Sequence, residues 1–155
     1  MTRRDLIVAL MSACVTLGAV ALLRWRAPVH GQGASPRVMG SSVWDWNSIE
    51  VKPTKIGSTR KFFQAPTATL DELECHVTTL NPGETPHPPH QHPDEEIIVI
   101  KEGTVEALVN GQTRRVGPGS VILQASNQPH SIRNVGKTPA TYHVFKWNSP
   151  GMLRK

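Results

Sequence analysis

Two cysteines in the whole chain exclude a disulfide framework. Aromatic residues make up only 5%, with a single tyrosine. Beyond residue 27 no stretch has the 3.6-residue apolar periodicity of a helix, which excludes a helix bundle and a helix-borne DNA reader. No Ser/His/Asp arrangement and no glycine-rich phosphate loop is present, which leaves nucleotide-binding and triad chemistry without support. Thirteen prolines and twelve glycines in 155 residues point instead to short strands joined by tight turns.

The net charge of +5 and pI near 9.6 look like those of a nucleic-acid binder. Their distribution says otherwise. Residues 1–33 hold Arg3, Arg4, Arg24 and Arg26 against Asp5 alone, and the remainder is close to balanced. We expect no nucleic-acid partner and a small-molecule substrate or ligand.

Leu6 to Leu23 is an uncharged, mostly apolar run with arginines on both sides. That is the pattern of an export signal or a single membrane anchor. Thr2-Arg3-Arg4-Asp5-Leu6-Ile7 resembles a twin-arginine signal, which implies export of an already folded chain. We therefore expect residues 1–26 to be a signal or anchor, 27–42 a linker rich in Ala, Pro, Gly and Ser, and 43–155 the folded domain. The expected location is the periplasm or the outer face of the cytoplasmic membrane, with membrane contact only through the N-terminal segment.

Within the domain, Thr69 to Leu80 alternates, with Cys75 and Val77 on one face and Glu74 and His76 on the other. Further strands are expected at Glu95–Lys101, Thr104–Val109, Gln112–Val116, Ser120–Gln124, His130–Asn134 and Ala140–Trp147. Asn110-Gly111 is a hairpin signal, because both central positions of that turn need positive φ. Regularly spaced strands with Gly and Pro between them read as an all-β sandwich or barrel.

The segment His87-Pro88-Pro89-His90-Gln91-His92-Pro93-Asp94-Glu95-Glu96 carries the chemistry. His90 and His92 share a face on an extended backbone, and Glu96 has the same parity. His130, near the start of a later strand, could close a set of three imidazoles and one carboxylate. Such a set suits a divalent first-row metal: Fe, Mn, Ni, Cu or Zn.

These residues resemble the cupin superfamily over about residues 70–147. That family's first motif is Gly, five residues, His-x-His, three or four residues, Glu, six residues, Gly. Here His90, His92, Glu96 and Gly103 hold its spacing, and Gly83 lies one residue too far upstream. The second motif is Gly, five residues, Pro-x-Gly, two residues, His, three residues, Asn. Gly119, His130 and Asn134 match it, whereas Ala125 and Asn127 replace the Pro and second Gly. Asn127 tolerates positive φ better than most residues, so the turn can survive. The resemblance implies a double-stranded β-helix (a jelly-roll barrel) with His90, His92, Glu96 and His130 as metal ligands inside it. It also implies a possible homodimer by exchange of a terminal strand, for which residues 43–63 are the candidate.

Other residues are read by parity. If Lys146 faces water, His143, Phe145 and Trp147 face inward; His143 is then either a catalytic pocket residue or a core histidine. His87 is expected in a loop, Arg133 outside the barrel, and Cys75 as an unpaired structural thiol. Trp44 and Trp46 are expected in an N-terminal strand packed on the barrel or a partner. Three functions follow. The first is an exported, metal-dependent oxidoreductase of dioxygenase type acting on a small organic substrate. The second is a non-catalytic ligand-binding or sensing domain. The third is a metal-dependent sugar isomerase, epimerase or decarboxylase, for which Tyr142 and Arg133 are the available matches.

Overall fold

A computed structural model describes residues 38–150. The expected signal or anchor, and most of the linker, lie outside the described residues. The domain is all-β. Its nine described strands are β1 (Lys52–Thr54), β2 (Gly57–Ala65), β3 (Glu72–Leu80), β4 (Glu95–Glu102), β5 (Val105–Val109), β6 (Gln112–Val116), β7 (Val121–Gln124), β8 (Ser131–Asn134) and β9 (Ala140–Asn148). They form a six-stranded sheet in the order β1-β2-β3-β9-β4-β7 and a three-stranded sheet in the order β6-β5-β8. Every pairing is antiparallel. The arrangement is consistent with a jelly roll.

The turns explain the motif residues that have no chemistry of their own. Asn110 (φ 51°) and Gly111 (φ 73°) make the β5–β6 hairpin. Asn127 adopts φ 57°, the left-handed conformation its motif position requires. Gly103 joins β4 to β5 at φ 84°, and a Cβ there would lie 2.5 Å from the Cα of Ala140. No other residue type fits that approach.

Leu80, Ile98, Ile100, Val105, Ala107, Ile122, Ile132, Ala140, Tyr142 and Val144 form the core between the sheets. Full burial of each large aliphatic chain contributes about 1.5–3 kcal/mol. Asn134 is a polar residue of this interior and is wholly buried. Its Nδ2 donates to the carbonyls of Leu80 and Thr138, and its Oδ1 accepts from the Gly136 amide, each at 2.9 Å. One side chain thus ties the end of β3 to the β8–β9 turn.

The outer face of the large sheet is covered over β2 and β9, whereas Val121 and Leu123 of β7 stay exposed on it. Residues 38–50 run over it, not as the expected strand but as an extended segment ending in a 3₁₀ turn, Trp46–Ser48. Trp44 packs on Phe63, and Trp46 on Phe62 and His143. Arg60 donates to the carbonyls of Trp46 and Ile49, and its guanidinium lies 4.4 Å from the Trp46 ring centre. A β-bulge between Lys61 and Phe63 puts Phe62 on the same outer side as Phe63.

Candidate metal centre

Cross-strand register builds the inner wall of the large sheet row by row. At the end of β4 where the histidine loop enters, Glu74, Lys146, Glu96 and Gln124 stand in register across β3, β9, β4 and β7. The next row is His76, Val144, Ile98 and Ile122, and the next is Thr78, Tyr142 and Ile100. Polarity therefore falls from the mouth toward the core. These rows and the histidine loop enclose a cavity of about 270 Å³.

His90 and His130 face each other as an antiparallel bridge pair. The His90 amide donates to the His130 carbonyl at 3.1 Å, and the reverse bond is 2.9 Å. Paired in this way, two residues forty apart in sequence send their side chains to one side. His92 follows on the same strand direction, and its carbonyl accepts from the Asn127 amide at 2.8 Å, which joins the two motif loops.

The imidazoles meet. One nitrogen from each of His90, His92 and His130 lies within 4.8 Å of the others. His130 Nδ1 is 2.8 Å from the Gln128 carbonyl, and His92 Nδ1 is 3.0 Å from the Asp94 carbonyl. A carbonyl partner fixes the proton on Nδ1 and leaves Nε2 as a lone-pair donor. His130 Nε2 and His90 Nδ1 are buried with no hydrogen-bond partner. Burial lowers the His130 value and pushes His90 down to about 4, with the neighbouring His87, His130 and His92 adding repulsion. Neutral imidazoles with unpartnered nitrogens at this separation fit a divalent metal ion.

Glu96 lines the same cavity but stands outside the tight set, its Oε2 3.8 Å from His92 Nε2. Burial pushes its carboxyl up to about 7; Lys146 opposes this, and Glu74 and Asp94 reinforce it. His87 also lines the cavity, its ring 3.8 Å from that of His90. Arg133 is exposed and donates to the Gly83 carbonyl.

His143, expected as either a catalytic pocket residue or a core histidine, stands apart from this set. It sits on the outer face of β9, between Trp46, Phe62 and Phe145, and does not line the cavity. Lys146 is the residue that points inward. Its register neighbours, Glu74 and Glu96, offset the cost of turning an ammonium into the barrel. Apolar Phe145 and Trp147 occupy the other face, where Phe145 stacks on His143 and Trp147 Nε1 donates to Glu95 Oε2.

Parity reading passed over His76, Lys146 and Gln124 as cavity residues. Their signal is the Glu72/Glu74/His76/Thr78 face of β3, polar throughout. His76 Nδ1 bonds to Glu74 Oε1 at 3.0 Å, and Lys146 Nζ lies 3.5 Å from Glu74 Oε2. Burial lowers the His76 value, partly offset by Glu74. Tyr142 is buried beside Thr78, and desolvation keeps its hydroxyl protonated well above the ordinary range.

Comparison with known proteins agrees with this geometry. Residues 76–146 match the Cupin domain family, Cupin_2. Over 64 residues, 41% of this chain, the sequence is 41% identical to dimethylsulfoniopropionate lyase DddQ of Ruegeria pomeroyi. That stretch spans 31% of the lyase. The fold is similar to the Cnp3 cupin domain of Schizosaccharomyces pombe, with a TM-score of 0.59 and 19% identity, over 76% of this chain and 81% of that one. It is also similar to an RmlC-like cupin from Shewanella frigidimarina, with a TM-score of 0.58 and 12% identity, over 72% and 94% of the two chains.

Proposed function

The chain belongs to the cupin superfamily, and on that premise we propose that it is a metal-dependent enzyme acting on a small organic substrate. The observation that carries this reading is the meeting of three imidazole nitrogens, two of them on rings with buried unpartnered atoms. His90, His92 and His130 would hold the ion, with Glu96 available from the wall. Bound there, a divalent metal supplies Lewis acidity to a substrate oxygen.

The chain's own groups favour proton-transfer chemistry of the lyase type. His76 is oriented by Glu74 and lines the cavity, the arrangement of a general acid or base. Tyr142, kept protonated, can donate but not abstract. Local similarity to a lyase supports the same class. The oxygen-using reading rests on the three-histidine, one-carboxylate set, which leaves about two positions of a six-coordinate ion open.

Elemental analysis of the full-length protein and of His92→Ala tests the proposal. One equivalent of a transition metal, lost in the variant, supports it; no metal in either overturns it. Turnover that persists under anaerobic conditions selects the lyase class, and turnover that requires O₂ selects the oxidoreductase. Metal binding without turnover of either kind would leave a ligand-binding domain. We further propose export through residues 1–26 with the folded domain at 43–155. Cell fractionation with N-terminal sequencing checks both location and cleavage.

A further inference from the structure

The cavity wall has charge and hydrogen-bonding capacity that holding a metal does not use. Among its lining residues Lys146 is the only lysine and Glu96 the only carboxylate. Glu74, which holds Lys146 and His76 from behind, does not line the cavity. A divalent ion with Glu96 beside it leaves the cavity surface positive on both sides, with Lys146 one strand away from Glu96 in register. At the other end of the row, Gln124 is 3% exposed, and its Oε1 is buried without a partner. An unpaired buried amide is costly, so this position is built for a polar group that arrives with a ligand.

We propose that Lys146 is the anion-recognition residue of the site and that the substrates are small carboxylic acids carrying a hydrogen-bond donor. The substrate carboxylate accepts from the Lys146 ammonium, and a hydroxyl or equivalent donor serves Gln124 Oε1. Glu74 acts as a positioning residue, holding Lys146 toward the cavity. The volume of about 270 Å³ sits at the lower edge of ordinary small-molecule pockets, which run to roughly 300–1,000 Å³. The inference deepens the proposed function and rests on its metal centre.

Lactate and lactamide, equal in shape and different in charge, are the probes. Their affinity for the full-length protein loaded with Mn(II) is measured by calorimetry. Lactate should bind more tightly than lactamide. Lys146→Met should weaken lactate by roughly 10- to 100-fold, the loss expected for one charge-assisted hydrogen bond. Metal content should stay unchanged, lactamide affinity should fall less than lactate affinity because its carbonyl is a neutral acceptor, and Lys146→Arg should recover most of the loss. Because Lys146→Met strands Glu74, the Glu74→Gln/Lys146→Met double variant is measured beside it and should show the same loss. Equal lactate affinity in wild type and both methionine variants overturns the proposal, as does lactamide binding as tightly as lactate. A protein that takes up neither Mn(II) nor any other divalent first-row ion refutes the metal centre instead. The Lys146 subsite is then judged on the metal-free chain by the same lactate comparison, in which no dependence on Lys146 overturns it.

Discussion

Glu96→Gln in the metal-free protein separates the cost of the site from its use. The Glu96 carboxyl moves from an ordinary 4.5 to about 7, chiefly because it is desolvated. Its side chain is 14% exposed, so solvent screens little of this. A raised folded-state value means that the folded protein binds the proton more tightly than the unfolded chain does. The associated stability is fully present below pH 4.5 and is lost as pH rises through about 7. At about 1.4 kcal/mol per pH unit the loss is about 3 kcal/mol. Glutamine has the same shape and no charge to desolvate, so the variant escapes the loss. By calorimetry or circular dichroism in a chelating buffer, Glu96→Gln should melt about 10 °C above wild type at pH 8, taking about 4 °C per kcal/mol. At pH 5 the two should melt within about 2 °C of each other. Adding a divalent ion at pH 8 should raise the wild-type midpoint more than the variant's. A variant no more stable than wild type at pH 8, or equally stabilised at both pH values, would refute the reasoning.

His130→Ala should lower metal affinity at least about 100-fold, read by titration with a chelator dye, because a direct ligand matters more than the roughly 10–100-fold of an outer partner. Asn134→Ala leaves the Leu80 and Thr138 carbonyls and the Gly136 amide unpaired and should cost about 3 kcal/mol in urea unfolding. Gly103→Ala combines a positive φ with a backbone collision and should cost about 3 kcal/mol or prevent folding, measured the same way. His143→Ala should retain full metal content and turnover while losing packing against Trp46; abolished turnover in a folded, metal-loaded variant would return His143 to the chemistry.

Strands β3 to β9 were legible because alternation and Gly/Pro punctuation are local signals. Asn110 was legible for the same reason, since Asn-Gly is a local hairpin signal, whereas the positive φ of Asn127 was legible only through the family's second motif. His90 and His92 could be paired by parity. Bringing His130 beside them depended on the family resemblance, since nothing local in residues 130–134 points forty residues back. The facing of β9 was not legible. Parity says which residues share a face, never which face is inside, and on β9 the outer face carries apolar rings as well. Hydrophobicity then misleads: Phe145 and Trp147 face away from the cavity, and Lys146 faces into it. Strand β2 was hidden by its bulge at Phe62, which breaks the alternation at the point where it would be read.

The bridge between His90 and His130 is a non-local contact, so the metal-binding array does not exist until the two loops have docked. An unfolded chain offers scattered imidazoles, for which copper would outcompete every other first-row ion. A barrel that closed around the proposed site would instead capture whichever ion is abundant and labile where closure happens. The identity of such a metal would then record the compartment in which the chain folded. Refolding the same polypeptide in the presence of different ions should produce different, slowly exchanging species from one sequence.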